Sequence, residues 1–344
     1  MELKEKLKRI TNAHGATGDE YRVSVVAADL LKPYMDTVEI DRFGNVTGFR
    51  SCGKPGAKSI LLDAHIDQIG FRVTEVTERG FLRFTDIGVD PRMMPGAELW
   101  VMTDDGIIPG IVSVLAPHMV KRSEEKNSIP MEKLYVDVGL APEEVKKRVR
   151  VGDYMVFRNE TFDLAGDAVC GRAMDDRACF CCILHALELL KDKALPVDIY
   201  VTGSTKEEMG GHGGQAVSYR ANPDFAIALD VTHAKTDDAP EMPIALGEGA
   251  EIVIGPNSRP EFAQLAIETA RAKEIPFKAT AAPANTGTHA RTIQLQRQGI
   301  TTLLISLPLR YMHSPVEVLR MSDVENVGKL LAELILVMEG RRFA

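Results

Sequence analysis

The chain has 344 residues, a length that at roughly 150 residues per domain excludes a single small module and predicts two domains or one large domain carrying an insertion. Hydrophobic residues make up 45% and charged residues 26%, which is the balance of a folded chain with a substantial core. Forty-one basic against forty-nine acidic residues leave a net charge of -8, which excludes a global electrostatic footprint for nucleic acid or an anionic membrane.

The opening MELKEKLKRI sets Leu3, Leu7 and Ile10 at helical spacing among charges, so it is read as an amphipathic helix rather than a signal peptide or anchor. No apolar run reaches the ~18 to 20 residues that cross a bilayer. After the glycine-rich NAHGATGDE, YRVSVVAADLLKPYM predicts a second helix that stops at Pro33. VEIDRF, a turn at Gly44-Asn45 and VTGFR predict a hairpin, and KSILLDAH predicts a buried central strand. From about Ile69 the texture changes to short alternating runs, FRVTEVTERGFLRF, AELWVMTDDGIIPGIVSVL, LYVDVGL and DYMVFRNETF, which predict a β-rich domain. After residue 163 helix and strand patterns alternate again: DDRACFCCILHALELL, VDIYVTGST, DFAIALDVT, PEFAQLAIETARAKE, TTLLISLPL and SDVENVGKLLAELILVMEG. The expected organisation is therefore an α/β catalytic domain, 1–68 plus 163–344, interrupted by an inserted β-rich domain at 69–162. Four of the five cysteines (Cys170, Cys179, Cys181 and Cys182) crowd one helical pattern without the paired Cys-x-x-Cys spacing of structural zinc. They are expected to be free core thiols in a reducing cytoplasm.

Chemistry-bearing residues gather at the ends of these elements. His65 and Asp67 close the buried strand two residues apart, so the carboxylate is placed to orient the imidazole while the other ring nitrogen binds metal; a satisfied strand-end histidine is the plain alternative. Asp175 and Asp176 precede a helix, where capping is the ordinary role and metal bridging the chemical one. Glu207 and Glu208 lie in a turn followed by glycines, free to address one metal and one attacking water, or to be a surface pair. Asp230 ends a strand, and His313 follows another. Strand carboxyl ends are where open α/β sheets place ligands. His65, Asp175, Glu208, Asp230 and His313 together supply the mixed imidazole and carboxylate set expected for two zinc-like ions about 3.5 to 4 Å apart.

In order along the chain, AHIDQIGF, GRAMDDR, TKEEMGG, LDVTHA and RYMHSPVE resemble the motifs of the TET-type tetrahedral aminopeptidases. That family includes glutamyl, leucyl and deblocking aminopeptidases and some members once labelled cellulases. The resemblance spans nearly the whole chain, through NAHGATGDE, DRFGNV, ALGEGAEIVIGP and GTHARTIQLQRQGI. It implies that His65 and Asp230 hold one divalent ion and Glu208 and His313 the other, with Asp175 bridging both. Asp67 would stand behind His65, and Glu207 would be the general base. The implied cofactors are two ions per subunit, zinc first, with cobalt and manganese as alternatives. The implied fold is α/β, a three-layer zinc-peptidase-like core with an inserted β-rich, barrel- or PDZ-like dimerisation domain, dimers assembling into a tetrahedral dodecamer. The implied activity is hydrolysis of the N-terminal residue from short peptides by a cytoplasmic homo-oligomer with no nucleic-acid or membrane partner. The chain departs from the family pattern at Gln68, where Glu is common, at Lys206, where Gln is common, and at His289, where GTHA replaces GTDA. His212 and His233 flank motif residues and are secondary metal candidates. Rival readings are an N-deacylase on the same site, a glycan hydrolase, and a non-catalytic scaffold. The glycan hydrolase needs sugar-stacking platforms that one Trp and 6% aromatic residues supply poorly, and the scaffold fits poorly with the full ligand set.

Overall fold

In the computed structural model, which describes residues 1–114, 117–119 and 128–343, the chain divides into two compact units. One comprises Met1–Gln68, Glu160–Met312 and Val316–Ala344, and the other Ile69–Asn159 with His313–Pro315.

The first unit opens with α1 (Leu3–Asn12) and α2 (Tyr21–Leu31), then the antiparallel hairpin of β1 (Thr37–Ile40) and β2 (Val46–Arg50), then β3 (Ser59–His65). Helix α1 buries Leu7 and Ile10, and α2 yields to a 3-10 turn at Lys32–Tyr34 where Pro33 lacks the amide that would continue it. The hairpin loop is closed by Asp41, whose carboxylate accepts the amides of Phe43 and Asn45, and Gly44 there has φ +89°.

The second unit contains β4 (Gly70–Val76), β5 (Leu82–Ile87), β6 (Glu98–Thr103), β7 (Gly106–Val112), β8 (Val136–Asp137), α3 (Pro142–Arg148) and β9 (Tyr154–Phe157). The strands form a closed barrel in the order β4-β5-β8-β7-β6-β9. Alternating residues fill its interior, among them Phe71, Val73, Leu82, Phe84, Leu99, Val101 and Met155. Phe71 meets Phe84 and Phe157 edge-on at ring separations of 5.7 and 5.2 Å. Closure leaves these strands no open edge.

The first unit resumes with β10 (Phe162–Asp163), β11 (Ala168–Gly171), α4 (Met174–Leu189), β12 (Asp198–Ser204), α5 (His212–Ala221), β13 (Phe225–His233), β14 (Ala250–Ile254), α6 (Pro260–Ala272), β15 (Phe277–Ala281), α7 (Ala290–Ile293), β16 (Thr301–Leu309), β17 (Glu317–Arg320) and α8 (Met321–Leu336). Its main sheet has the order β1-β2-β12-β3-β13-β16-β14-β15, and β10-β11-β17 form a small separate sheet. Strands β12, β3, β13 and β16 run parallel, whereas β14 runs antiparallel to β16 and parallel to β15. Beyond its first turn helix α4 is apolar on nearly all sides and is accordingly buried, packed between β3, β13, α1 and α8. Helices α5 and α7 pack on the opposite face, over β12, β3, β13 and β16. The α/β core thus has three layers, with β3, β13 and β16 in the middle. Cys179, Cys181 and Cys182 are free thiols inside α4, and burial raises the pKa of Cys179 and Cys181 far from the reactive range. Among the described residues no helix is long and apolar enough to cross a membrane.

Candidate metal centre

Strand β3 carries His65 to the edge of the sheet, and the chain continues through the buried Asp67. His65 Nδ1 lies 3.2 Å from the Asp67 carbonyl oxygen and 3.4 Å from its carboxylate, while Nε2 lies 3.1 Å from Asp175 Oδ1. One ring nitrogen is thus fixed by Asp67 and the other aimed at Asp175, the orientation expected of a metal-binding histidine. Asp67 also accepts the Thr17 hydroxyl at 2.8 Å and the backbone amides of Glu207 and Glu208 at 3.1 and 3.3 Å. A single buried carboxylate therefore sets both the imidazole and the turn that presents the two glutamates. Burial alone would raise its pKa, but His65 and these donors outweigh that and hold it below the usual range.

Asp175 and Asp176 lie at the start of α4 with non-helical backbone angles, so neither side chain follows the helix surface. The amides of Met174 and Asp175 donate to the buried Glu317 carboxylate at 2.7 and 3.3 Å, which anchors this entry. Arg177, fully buried, donates to the carbonyls of Ile66, Ile10, Ala13 and Gly15 and so ties the NAHGATGDE loop to the strand end.

Two groups of ligand atoms result. Those of His65, Asp175 and Asp230 lie within 4.8 Å of one another, and so do those of Asp175, Glu208 and His313. Asp175 is common to both, and a carboxylate has one oxygen for each of two cations. Burial drives the Asp230 carboxyl well above its usual range, with Glu207 and Asp175 adding to the rise and His65 opposing it. Burial followed by Asp175 does the same to Glu208. Burial lowers the His65 pKa, but Asp175 and Asp67 more than reverse this. Like charges crowded in a buried space call for a compensating cation. The donors are imidazole nitrogens and carboxylate oxygens, a set that zinc, cobalt and manganese all accept. The residues present therefore fit two divalent ions.

Glu207 is 9% exposed, in the turn after β12. Burial raises its pKa, opposed by His65 and His289. The turn is compact because Gly213 approaches it closely: a Cβ there would stand 2.1 Å from the Thr205 carbonyl oxygen. His313 Nδ1 is 3.1 Å from the Gly88 carbonyl oxygen, where Gly88 has φ +78°. Asp176 is fully buried and lies outside both ligand groups, as do His212 and His233. The three departures from the family pattern each have a partner here. Gln68 Oε1 accepts from Arg172 at 3.0 Å, the Lys206 ammonium lies over the Phe43 ring at 4.8 Å, and His289 Nδ1 meets the Asp63 carboxylate at 2.8 Å. Thr17, Asp63 and Glu317 are supporting residues the motifs did not single out. Asp63 carried a signal of its own, a charge inside the apolar run SILLDAH that needs a partner wherever it is buried.

Paired imidazole and carboxylate groups sharing one Asp, beside a further glutamate, at one edge of an α/β sheet define a hydrolase built around two metal sites. The chain belongs to the M42 glutamyl aminopeptidase family, whose model matches residues 44–330. It is 33% identical to the lysyl aminopeptidase of Pyrococcus furiosus over 337 residues, 96% of each chain. A TET aminopeptidase from a marine-sediment archaeon of the Thaumarchaeota superposes with a TM-score of 0.91 at 28% identity, covering 98% of both chains. The Pyrococcus horikoshii TET1 peptidase, described as assembling into a tetrahedron or a large octahedral shell, gives 0.86 at 28% identity over 98% of this chain and 100% of its own.

Proposed function

We propose that this chain is a dinuclear metalloaminopeptidase that releases the first residue of short peptides bearing a free amino terminus. The observation that carries the reading is the pair of ligand groups joined by Asp175, with Glu207 beside them on a turn pinned by Asp67. In this reading His65 and Asp230 would hold one ion and Glu208 and His313 the other, with Asp175 shared between them. When bound, the ions lower the pKa of water and polarise the scissile carbonyl. Glu207 takes the proton from the attacking water and gives it to the departing amine. Asp67 holds His65 and the Glu207 and Glu208 amides in register without itself exchanging protons.

We assign zinc as the resident metal, on the imidazole and carboxylate donors. The enzyme is placed in the cytoplasm, supported by five free cysteines. The residues 69–159 barrel is assigned to self-association, and the likeness to a peptidase that forms closed shells supports a homo-oligomer. Peptides with free and acetylated amino termini, with and without chelator, test the reaction class: chelator-sensitive release from free termini is expected, and activity confined to acetylated substrates would move the site to deacylation. Glu207→Gln tests the base. Both ions should remain by elemental analysis while kcat falls roughly 100- to 10,000-fold, and full activity in that variant would refute the assignment.

A further inference from the structure

The row of paired residues that contains Asp230 continues across the sheet. Asp230 on β13 is opposite Ser306 on β16, and Ser306 is opposite Glu251 on β14. Residues directly opposite one another share a face, so Glu251 looks out on the same side as the metal ligand, two strands away or about 10 Å. Helices α5 and α7 cover β12, β3, β13 and β16 on that face. Over β14 and β15, reaching the ends of β13 and β16, lies a cavity of about 620 Å³, lined by Thr232, Glu251, Val253, Thr280, Thr288 and Ser306. Thr232, two residues beyond Asp230 on the same face of β13, also lines the cavity, which therefore opens beside the metal centre.

Glu251 is 5% exposed. Among the described residues its hydrogen-bond donor is the Thr280 hydroxyl, 2.7 Å from Oε1. The one basic side chain in the lining, Lys278, stands opposite Glu251 on β15; it is half-exposed, and its ammonium is held by Glu248 at 3.3 Å. The rest of the lining is hydroxyl, apolar or backbone. A carboxylate buried in such surroundings with one neutral donor is poorly compensated, and a cation brought into the cavity would complete it.

We propose that this cavity receives the side chain of the substrate's first residue and that Glu251 selects a basic one, lysine or arginine. The proposal rests on the aminopeptidase reading above and adds to it the substrate class. With the scissile carbonyl at the metal centre, a long aliphatic stem runs along Thr232 and Val253 while its charged end reaches Glu251. An acidic side chain is repelled there, and an apolar one of equal length fills the cavity but brings the carboxylate no charged partner.

The test compares lysyl and norleucyl anilides, substrates of nearly equal length that differ in the charged end, on the metal-loaded wild type and on Glu251→Gln. The wild type is expected to favour lysyl over norleucyl by roughly 10- to 100-fold in kcat/KM, and the ratio should collapse toward one in the variant. A wild type that favours norleucyl, leucyl or glutamyl substrates overturns the proposal without any reference to the variant. So does a lysyl preference that survives Glu251→Gln. A flat profile with chelator-sensitive turnover sinks the pocket assignment alone, whereas no turnover of any substrate removes the aminopeptidase reading and the assignment with it.

Discussion

Replacing His289 by alanine tests whether the chain's departure at this position is a supported feature. His289 is 1% exposed and faces Asp63, fully buried, at 2.8 Å. Its Nε2 accepts the Gly214 amide at 3.3 Å, which leaves Nδ1 to donate toward Asp63, and the Ser204 hydroxyl lies 3.0 Å from Nδ1. Gly214 is required for this approach, since a Cβ there would stand 2.6 Å from the imidazole. Burial would raise the Asp63 carboxyl, but His289 with the Thr202 and Ser204 hydroxyls outweighs that and keeps it ionised. His289→Ala therefore strands a buried carboxylate, for which about 3 to 5 kcal/mol of lost stability is expected. Removing Asp63 as well relieves that penalty, so the double variant should be less damaged than the sum of the singles by at least about 1 kcal/mol. The family's usual aspartate, introduced as His289→Asp, would set two buried carboxylates against each other and should do at least as much harm as alanine. Urea unfolding of the metal-loaded chain, followed by far-ultraviolet circular dichroism, measures all three. A cost below about 1 kcal/mol for His289→Ala, or strict additivity with Asp63→Ala, would show that the pair does not hold the sheet edge as argued.

Asp67→Asn keeps the size of the side chain but replaces an acceptor of three protein hydrogens by an amide that cannot accept them all. Metal affinity or kcat should fall roughly 10- to 100-fold, and a variant indistinguishable from wild type in metal titration and turnover would remove the positioning role. His14 gives a pH prediction: burial, then the charges of Arg172 and Arg177, push its pKa down to about 4. The unfolded chain takes up this proton near 6.5 and the folded chain only near 4, so the stability is fully present above 6.5 and is lost as pH falls from 6.5 to 4. Allowing for its partial exposure, this amounts to about 1 kcal/mol. His14→Gln should flatten that part of the stability curve, and parallel curves for the two proteins would contradict the account.

What the sequence disclosed depended on how far each residue's partner lies along the chain. The strands β3, β13 and β16 are nearly pure apolar runs, and their ends name His65, Asp230 and the approach to His313 because burial leaves few reasons for a charge there. The turn bearing Glu207 and Glu208 was visible as a glycine cluster after a strand. The residues that hold these in place were not visible, because Thr17 meets Asp67 across 50 positions, Asp63 meets His289 across 226, and Met174 meets Glu317 across 143. Such partners follow from the topology, which local periodicity does not encode. The five-residue strands β14 and β15 also escaped, since EIVI and FKATA carry charges at positions a buried strand would reserve for apolar groups.

That last omission has a geometric cause that bears on function. In a parallel sheet the chemistry collects where strands end, and a search along the chain therefore looks for charges after apolar runs. Strand β14 runs antiparallel to β16, so it presents its beginning to the edge where β16 and β13 end. Glu251, second in β14, is thereby level with Ser306 and Asp230. A charge at the start of a short strand reads in sequence as a flank. Placed in this sheet it joins a row that runs from Asp230 through Ser306 and Glu251 to Lys278 on β15. The reversed direction that β14 shares with β15 is what puts a buried carboxylate on the cavity beside the metal centre instead of at the opposite edge of the sheet. On that face α5 and α7 pack over β12, β3, β13 and β16, and the cavity extends from the ends of β13 and β16 over β14 and β15, where the proposed recognition of the substrate's side chain takes place beside the metal centre.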